Sequence, residues 1–318
     1  MEKMTNRITE ELSRLAFECH DNCVLCGYKF QEGDTSHLGY GINDKPLYVC
    51  DACSKKLQET VVRHYFMPRP FEIPPIGSKL WRYIDFAKYV SMLSTKSLYF
   101  ARADCFQDSF EGAKGLKKNK EKWDNYYLHF FREAIKNPPD GYECTLSDEE
   151  VEKQAKHLLG EFEFGGEIDK KSTFINCWHE SEHESEAMWR LYSSSLENAI
   201  AVRTSYHSLY QALGCNPSIN IGRVNYINFR KSYASADHAF WYKRMSFEHE
   251  KEVRAMLINR NCPDKGKIVP CDLSILIEEV FVSPSAPSWF TQLVNDVNEK
   301  YGLDKKVSPS ELVQEPFF

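Results

Sequence analysis

The chain has 318 residues, enough for one large domain or two modest ones. Hydrophobic side chains make up 42% and charged ones 27%, which supplies a core and excludes a wholly disordered or collagen-like chain. The net charge is −6, from 40 basic and 46 acidic residues, so no chain-wide field draws it to nucleic acid.

No apolar run approaches the roughly 20 residues that span a bilayer. The opening MEKMTNRITEEL has no secretory apolar stretch, and the expectation is a soluble, cytoplasmic protein with no membrane partner. Eleven cysteines, odd in number and unevenly placed, favour reduced thiols plus a metal site over a disulfide framework.

The first element is a metal module. Cys23-Val-Leu-Cys26-Gly27 is followed, after 23 intervening residues, by Cys50-Asp-Ala-Cys53. A CxxC turn brings two thiolates to one ion while neighbouring amides donate to the sulfurs. Cys53 leads into a helical pattern through residue 66, and residues 33–49 read as a hairpin. This arrangement resembles a treble-clef zinc finger. Cys23, Cys26, Cys50 and Cys53 would fill a tetrahedral Zn²⁺ site and leave no open position, so the zinc is expected to be structural. Lys55, Lys56, Arg63 and His64 on the following helix would face a nucleic-acid partner. The other reading is a small docking module for a protein partner.

Met67 to Pro75 carries four prolines and reads as a semi-rigid spacer. The expected organisation is a zinc-finger module over 1–66, a linker over 67–78 and a body over 79–318. The fold class is α+β, a mixed sheet flanked by helices behind the small module. In chain order, periodicity predicts strands at 79–84 and 97–102 around a helix at 86–94. Helices follow at 119–136 and 148–162, then a strand at 172–179, a helix at 184–195 and a strand at 199–204. Further strands are predicted at 223–227, 252–258 and 278–283, with helices at 235–244 and 287–301.

Three stretches of the body carry candidate chemistry. In Leu80-Trp-Arg-Tyr83, a cation among apolar neighbours requires an anionic partner or a bound phosphate, which singles out Arg82. Residues 174–192 run from a strand end into four glutamates and two histidines. Their spacing does not match HExxH, and a solvated acidic loop is favoured over a metal or nuclease site at His179, His183 and Glu186. In the segment 243–254, Glu248, Glu250 and Glu252 alternate beside Lys243, Arg244, Lys251 and Arg254. This is either a surface ion-pair ladder or a functional face. Asp108 and Glu111 read as a structural turn. Lysines 114, 117, 118, 120 and 122 read as a solvated face, or as a contact for a phosphate backbone.

LWRYIDFAKYVSMLSTKSLYFARADCFQDSFEG, FINCWHESEHESEAMWRLY, FEHEKEVRAML and EEVFVSPSAPSWF resemble, in that order, the bacterial domain-of-unknown-function family 2971. The resemblance covers about 79–300 and implies a bacterial setting with a hint of defence or toxin biology. A more distant similarity is to the ADP-ribosyltransferase plan. It implies that Arg82 on the first strand holds NAD and that Glu252 on a late strand completes the catalytic site, with Glu250 in reserve. Tyr83, Trp189 and Tyr192 join Arg82 as cofactor-binding candidates. Tyr99, Tyr192 or Ser193 would flank the nicotinamide. The alternative is a non-catalytic zinc-finger protein that binds nucleic acid or a protein partner.

Overall fold

The computed structural model describes residues 71–138, 143–216, 218–236 and 238–317, with short pieces of the first seventy (5–7, 22–23, 28–31, 34–39 and 47–52). Strands β1 (Thr5–Arg7), β2 (Thr35–Gly39) and β3 (Leu47–Cys50) form a small antiparallel sheet in that order. The helix predicted after Cys53 lies outside the described residues, as do Lys55, Lys56, Arg63 and His64.

The proline-rich segment is described from Phe71 onward, and there it is packed down. Phe71 is buried, stacks on Trp241 at 4.1 Å and fills the space that Gly222 leaves by lacking a Cβ. The Glu72 backbone and carboxylate both meet Arg223.

A nine-stranded, mostly antiparallel sheet forms the body. Its first half runs through β4 (Lys79–Asp85), helix α1 (Phe86–Thr95) and β5 (Ser97–Arg102). Two long helices follow, α2 (Lys120–Lys136) and α3 (Asp148–Ser172). Ser147 and Glu150 cap each other's amides at the start of α3. The helix runs on past the predicted end at 162, through Gly165 and Gly166 to Ser172. The Lys114 ammonium lies 3.7 Å over the Phe162 ring and donates to the Phe162 carbonyl, tethering that turn from outside.

Then come β6 (Thr173–Glu180), α4 (Glu186–Tyr192), β7 (Ala199–Ser205) and α5 (Tyr206–Ala212). Next are β8 (Asn220–Arg223), β9 (Asn225–Ile227) and β10 (Tyr242–Arg244). The remaining elements are β11 (Glu252–Ile258), β12 (Gly266–Pro270), α6 (Leu273–Leu276), β13 (Glu279–Val282), α7 (Ser288–Lys300) and β14 (Val307–Pro309).

The helix expected over 235–244 does not form. A single 3-10 turn at Ala239–Trp241 leads into β10, which pairs with β9. Three consecutive buried residues, Ala239, Phe240 and Trp241, have no helical face to share. The helix expected at 184–195 is likewise shortened. The Glu184 carboxylate instead accepts from the Trp189 indole, the Ser310 hydroxyl and the Glu311 amide, and Ser185 becomes the cap.

The topology that matters for function is a fork. The main sheet path runs β12-β5-β6-β4-β7-β13-β14, with β11 lying along the opposite edge of β6 and carrying β8. Strand β4 pairs with β6 only at Leu80↔Glu180 and Trp81↔His179, then stays with β7 through Asp85. Strand β5 pairs with the same edge of β6 only at Ala101↔Ile175 and Arg102↔Phe174. Between those contacts β4 and β5 part, and β6 from Asn176 to Trp178 faces the opening. The main apolar core, with Leu80, Ile84, Trp178, Val202 and Val253, fills one face of the sheet. Trp81, Tyr83, Met188 and Trp189 form a cluster on the other.

Candidate active site

A cavity of about 300 Å³ occupies the fork. Its walls come from β4, β5, β6, α4 and the approach to β11, and they include Arg82, Tyr83, Tyr99, Trp178, His179, Tyr192, Glu250 and Glu252.

Arg82 is the first β4 residue beyond the last β6 pair. Alternation places its side chain on the face of Leu80 and Ile84, and its guanidinium carbon lies 5.7 Å from the Trp178 ring centroid. Among the described residues no carboxylate or carbonyl accepts from it, and its Nη1 is buried without a partner. Burial lowers its pKa to about 10 despite the Cys177 and Cys271 thiols nearby. Trp178 is itself fixed, donating through Nε1 to Asn176 Oδ1 at 2.7 Å, while Asn176 donates to the Tyr99 carbonyl at 2.8 Å. The anionic partner that the sequence demanded for Arg82 is thus absent from the described protein atoms.

On the opposite face, strand register sets Trp81, His179 and Glu252 side by side across β4, β6 and β11. Glu252 is buried and bound on two sides. Arg254 Nε donates to it at 2.7 Å and Lys243 Nζ lies at 2.8 Å. Its backbone amide donates to the Tyr226 hydroxyl at 2.8 Å. Burial alone would raise its pKa, but the charges of Arg254 and Lys243 outweigh that and hold it at about 2. The carboxylate is therefore ionised at every working pH.

Glu250 shares Lys243 with it. Lys251, between them, adopts a left-handed conformation with φ 40°, which ends the 3-10 turn Met245–Glu250 and turns both carboxylates toward one ammonium. Tyr192 sits half-exposed at the mouth. Burial of its hydroxyl end, with the negative charges of Glu250 and Glu252, pushes its pKa up and keeps the phenol neutral.

Behind Glu252 stands a residue that sequence reasoning set aside as a turn. Glu111 is fully buried and receives both terminal nitrogens of Arg254, at 2.6 and 2.8 Å. Arg254 also donates to the Phe240 carbonyl. Of the segment 243–254, Lys243, Glu250, Glu252 and Arg254 form a buried chain of alternating charge, Glu248 and Lys251 are exposed, and Arg244 pairs outside the segment with Asp108 at 2.6 Å. No pattern in the sequence marks Glu111, because its partner lies 143 positions away.

The other candidates fall as follows. Arg82, Tyr83, Tyr99, Tyr192, Glu250 and Glu252 meet at one cavity. Trp189 does not line it; fully buried, it packs edge-on against Tyr83 at 5.0 Å and so backs the wall. Ser193 is outside the cavity wall as well. The glutamates of the acidic loop have partners of their own: Glu180 with Arg223, Glu182 with Lys79, Glu186 with Arg190. Among the described residues no group of three or more metal-ligating side chains forms.

In the N-terminal module, Cys23 is buried and its Sγ accepts from the Cys50 amide at 3.4 Å, bringing the two CxxC segments together. The Cys23 amide donates to the Tyr28 carbonyl at 2.7 Å. An amide aimed at sulfur is the support that a metal-bound thiolate uses. Cys26 and Cys53 lie outside the described residues.

No protein-family model matches the chain, and no curated protein matches it. Two solved structures of DarT from Thermus sp. 2.9 are similar at the level of the backbone. The complex with ADP-ribosylated ssDNA gives a TM-score of 0.34 at 10% identity, covering 77% of this chain and all of that one. The complex with carba-NAD+ gives 0.34 at 11% identity, covering 75% and 97%. Among the described residues no helix is long and apolar enough to cross a membrane.

Proposed function

We propose that the body is an ADP-ribosyltransferase-like enzyme that binds NAD in the fork and breaks the nicotinamide–ribose bond, passing ADP-ribose to an acceptor or to water. One observation carries this reading: an arginine without a partner among the described residues and an ionised glutamate line the same aromatic-walled cavity. They approach it from opposite faces of the split sheet. That suits a long ligand whose anionic centre and reacting carbon are several bonds apart. Arg82 takes the diphosphate. Glu252 lies at the ribose, where it stabilises the positive charge that develops as the bond lengthens. Tyr83, Tyr99 and Tyr192 wall the cavity where the nicotinamide stacks. The family resemblance adds a defence or toxin setting.

The test is nicotinamide release from NAD by the full chain, with NAD affinity by calorimetry. Arg82→Met is the informative variant. Removal of a charge-assisted contact should weaken NAD binding roughly 10- to 100-fold. Because Arg82 has no partner to lose among the described residues, and its desolvation costs on the order of 3 kcal/mol, the same variant should melt a few degrees higher. Unchanged affinity would exclude Arg82 from the site, and a lower melting temperature would mean that it is structural.

We also propose that Cys23, Cys26, Cys50 and Cys53 hold one structural Zn²⁺, and that the module docks a nucleic acid or protein partner. Elemental analysis should find one zinc per chain. Cys26→Ser or Cys53→Ser should lose it while leaving NAD affinity of the body unchanged.

A further inference from the structure

We propose that His179 is the general base for the acceptor. This rests on the NAD-cleaving reading. His179 is buried, lines the cavity and lies directly opposite Glu252 in the β6–β11 register. Its Nδ1 is 2.6 Å from the Glu250 carbonyl oxygen, which can only accept, so Nδ1 carries the proton. Nε2 is left with its lone pair, and no described residue donates to it. The Tyr83 ring, 6.3 Å away, fixes the imidazole from the β4 side. A tautomer fixed on one nitrogen with the other open to a cavity is how a histidine is set to receive a proton.

The charged groups around it are Glu180 on its own strand, Glu250 and Lys251 at the turn, and Glu252 across the pair. Burial lowers its pKa below 6.5. The Glu250 carbonyl bond and the Glu250 and Glu180 charges oppose that, and Lys251 adds to it. Imidazole is therefore the neutral form at pH 7. In the reaction, Nε2 takes the proton of a water or acceptor hydroxyl as its oxygen bonds to the anomeric carbon. The carbon–nitrogen bond breaks with its electron pair going to the ring, and neutral nicotinamide leaves. The imidazolium then returns its proton to solvent.

The decisive variant is His179→Asn, whose side-chain amide can still donate to the Glu250 carbonyl but offers no base. The kcat for nicotinamide release should fall about 10²- to 10⁴-fold with little change in KM. Wild type should lose kcat/KM as the pH falls below 6.5, and in the variant that loss should vanish. Added imidazole should restore part of the rate to His179→Ala, which also covers the case of a poorly folded Asn variant. A raised KM with unchanged kcat and pH profile would make His179 a ligand-holding residue and overturn the assignment. So would full activity in His179→Asn when Glu252→Gln is dead in the same assay, leaving the NAD reading standing. No release and no NAD binding by wild type would overturn both.

Discussion

Glu252→Gln should reduce nicotinamide release on the order of 10²- to 10³-fold or more while the protein stays folded and keeps its affinity for NAD. The substitution keeps shape and removes only the charge that meets the developing oxocarbenium ion. A ground-state ligand that Arg82 anchors gains little from that charge, so the effect belongs in kcat and not in KM. Folding survives because neither cation is abandoned. Arg254 keeps both nitrogens on Glu111, and Lys243 keeps Glu250. The pH dependence separates this role from that of His179. With its pKa at about 2, against 4.5 for an ordinary glutamate, Glu252 stays ionised as the pH falls through the range where imidazole titrates. An acid limb near neutrality is therefore not its signature. The stability that Glu252 contributes is present in full above about pH 4.5 and is lost only as the pH falls toward 2. Full kcat in Glu252→Gln, checked by circular dichroism and melting temperature, would end the proposal that this cavity cleaves NAD.

How far the sequence reaches differs between the fold and the site. Strands such as 97–102 and 252–258 are legible because an apolar period of two, bounded by charged residues, has no other way to bury itself. Strand β12, Gly266–Pro270, is not, since it is an edge strand with exposed Ile268 and a pattern indistinguishable from a loop. Arg82 could be marked because a lone cation in an apolar run needs a partner. Its position at the fork could not, because pairing to β6 stops for reasons set by β5 and β7. Glu250 and Glu252 were visible as alternating acids, but equally compatible with a weak surface ladder. What decides between those readings is burial, and burial here depends on Glu111.

Arg254→Met should be the most destabilising single change near the site, by about 3–5 kcal/mol, because it strands a charge in place of removing a pair. Glu111 has no other cation within bonding distance among the described residues, and it is 1% exposed. It must then either stay ionised without a partner or take up a proton. That choice gives a signature. Burial already raises the Glu111 pKa in wild type against the pull of Arg254; without that cation it rises further, so the stability lost as the pH rises through the folded value is larger in the variant. The opposite dependence contributed by Glu252 lies below about pH 4.5 and leaves the interval from pH 5 to pH 8 to Glu111. Denaturant melts of the two proteins at pH 5 and pH 8 should therefore differ more at pH 8. Adding Glu111→Leu to Arg254→Met removes the stranded charge and should recover about 1–3 kcal/mol, a coupling that neither single variant shows. Activity should not return with stability. Without Arg254 the Glu252 carboxylate keeps only Lys243, and Lys243 is shared with Glu250. The buried triad would then be separable into two jobs: Glu111 satisfies Arg254, and Arg254 holds Glu252 in line with the fork. Recovery of both stability and turnover in the double variant would show that Glu252 needs no such support.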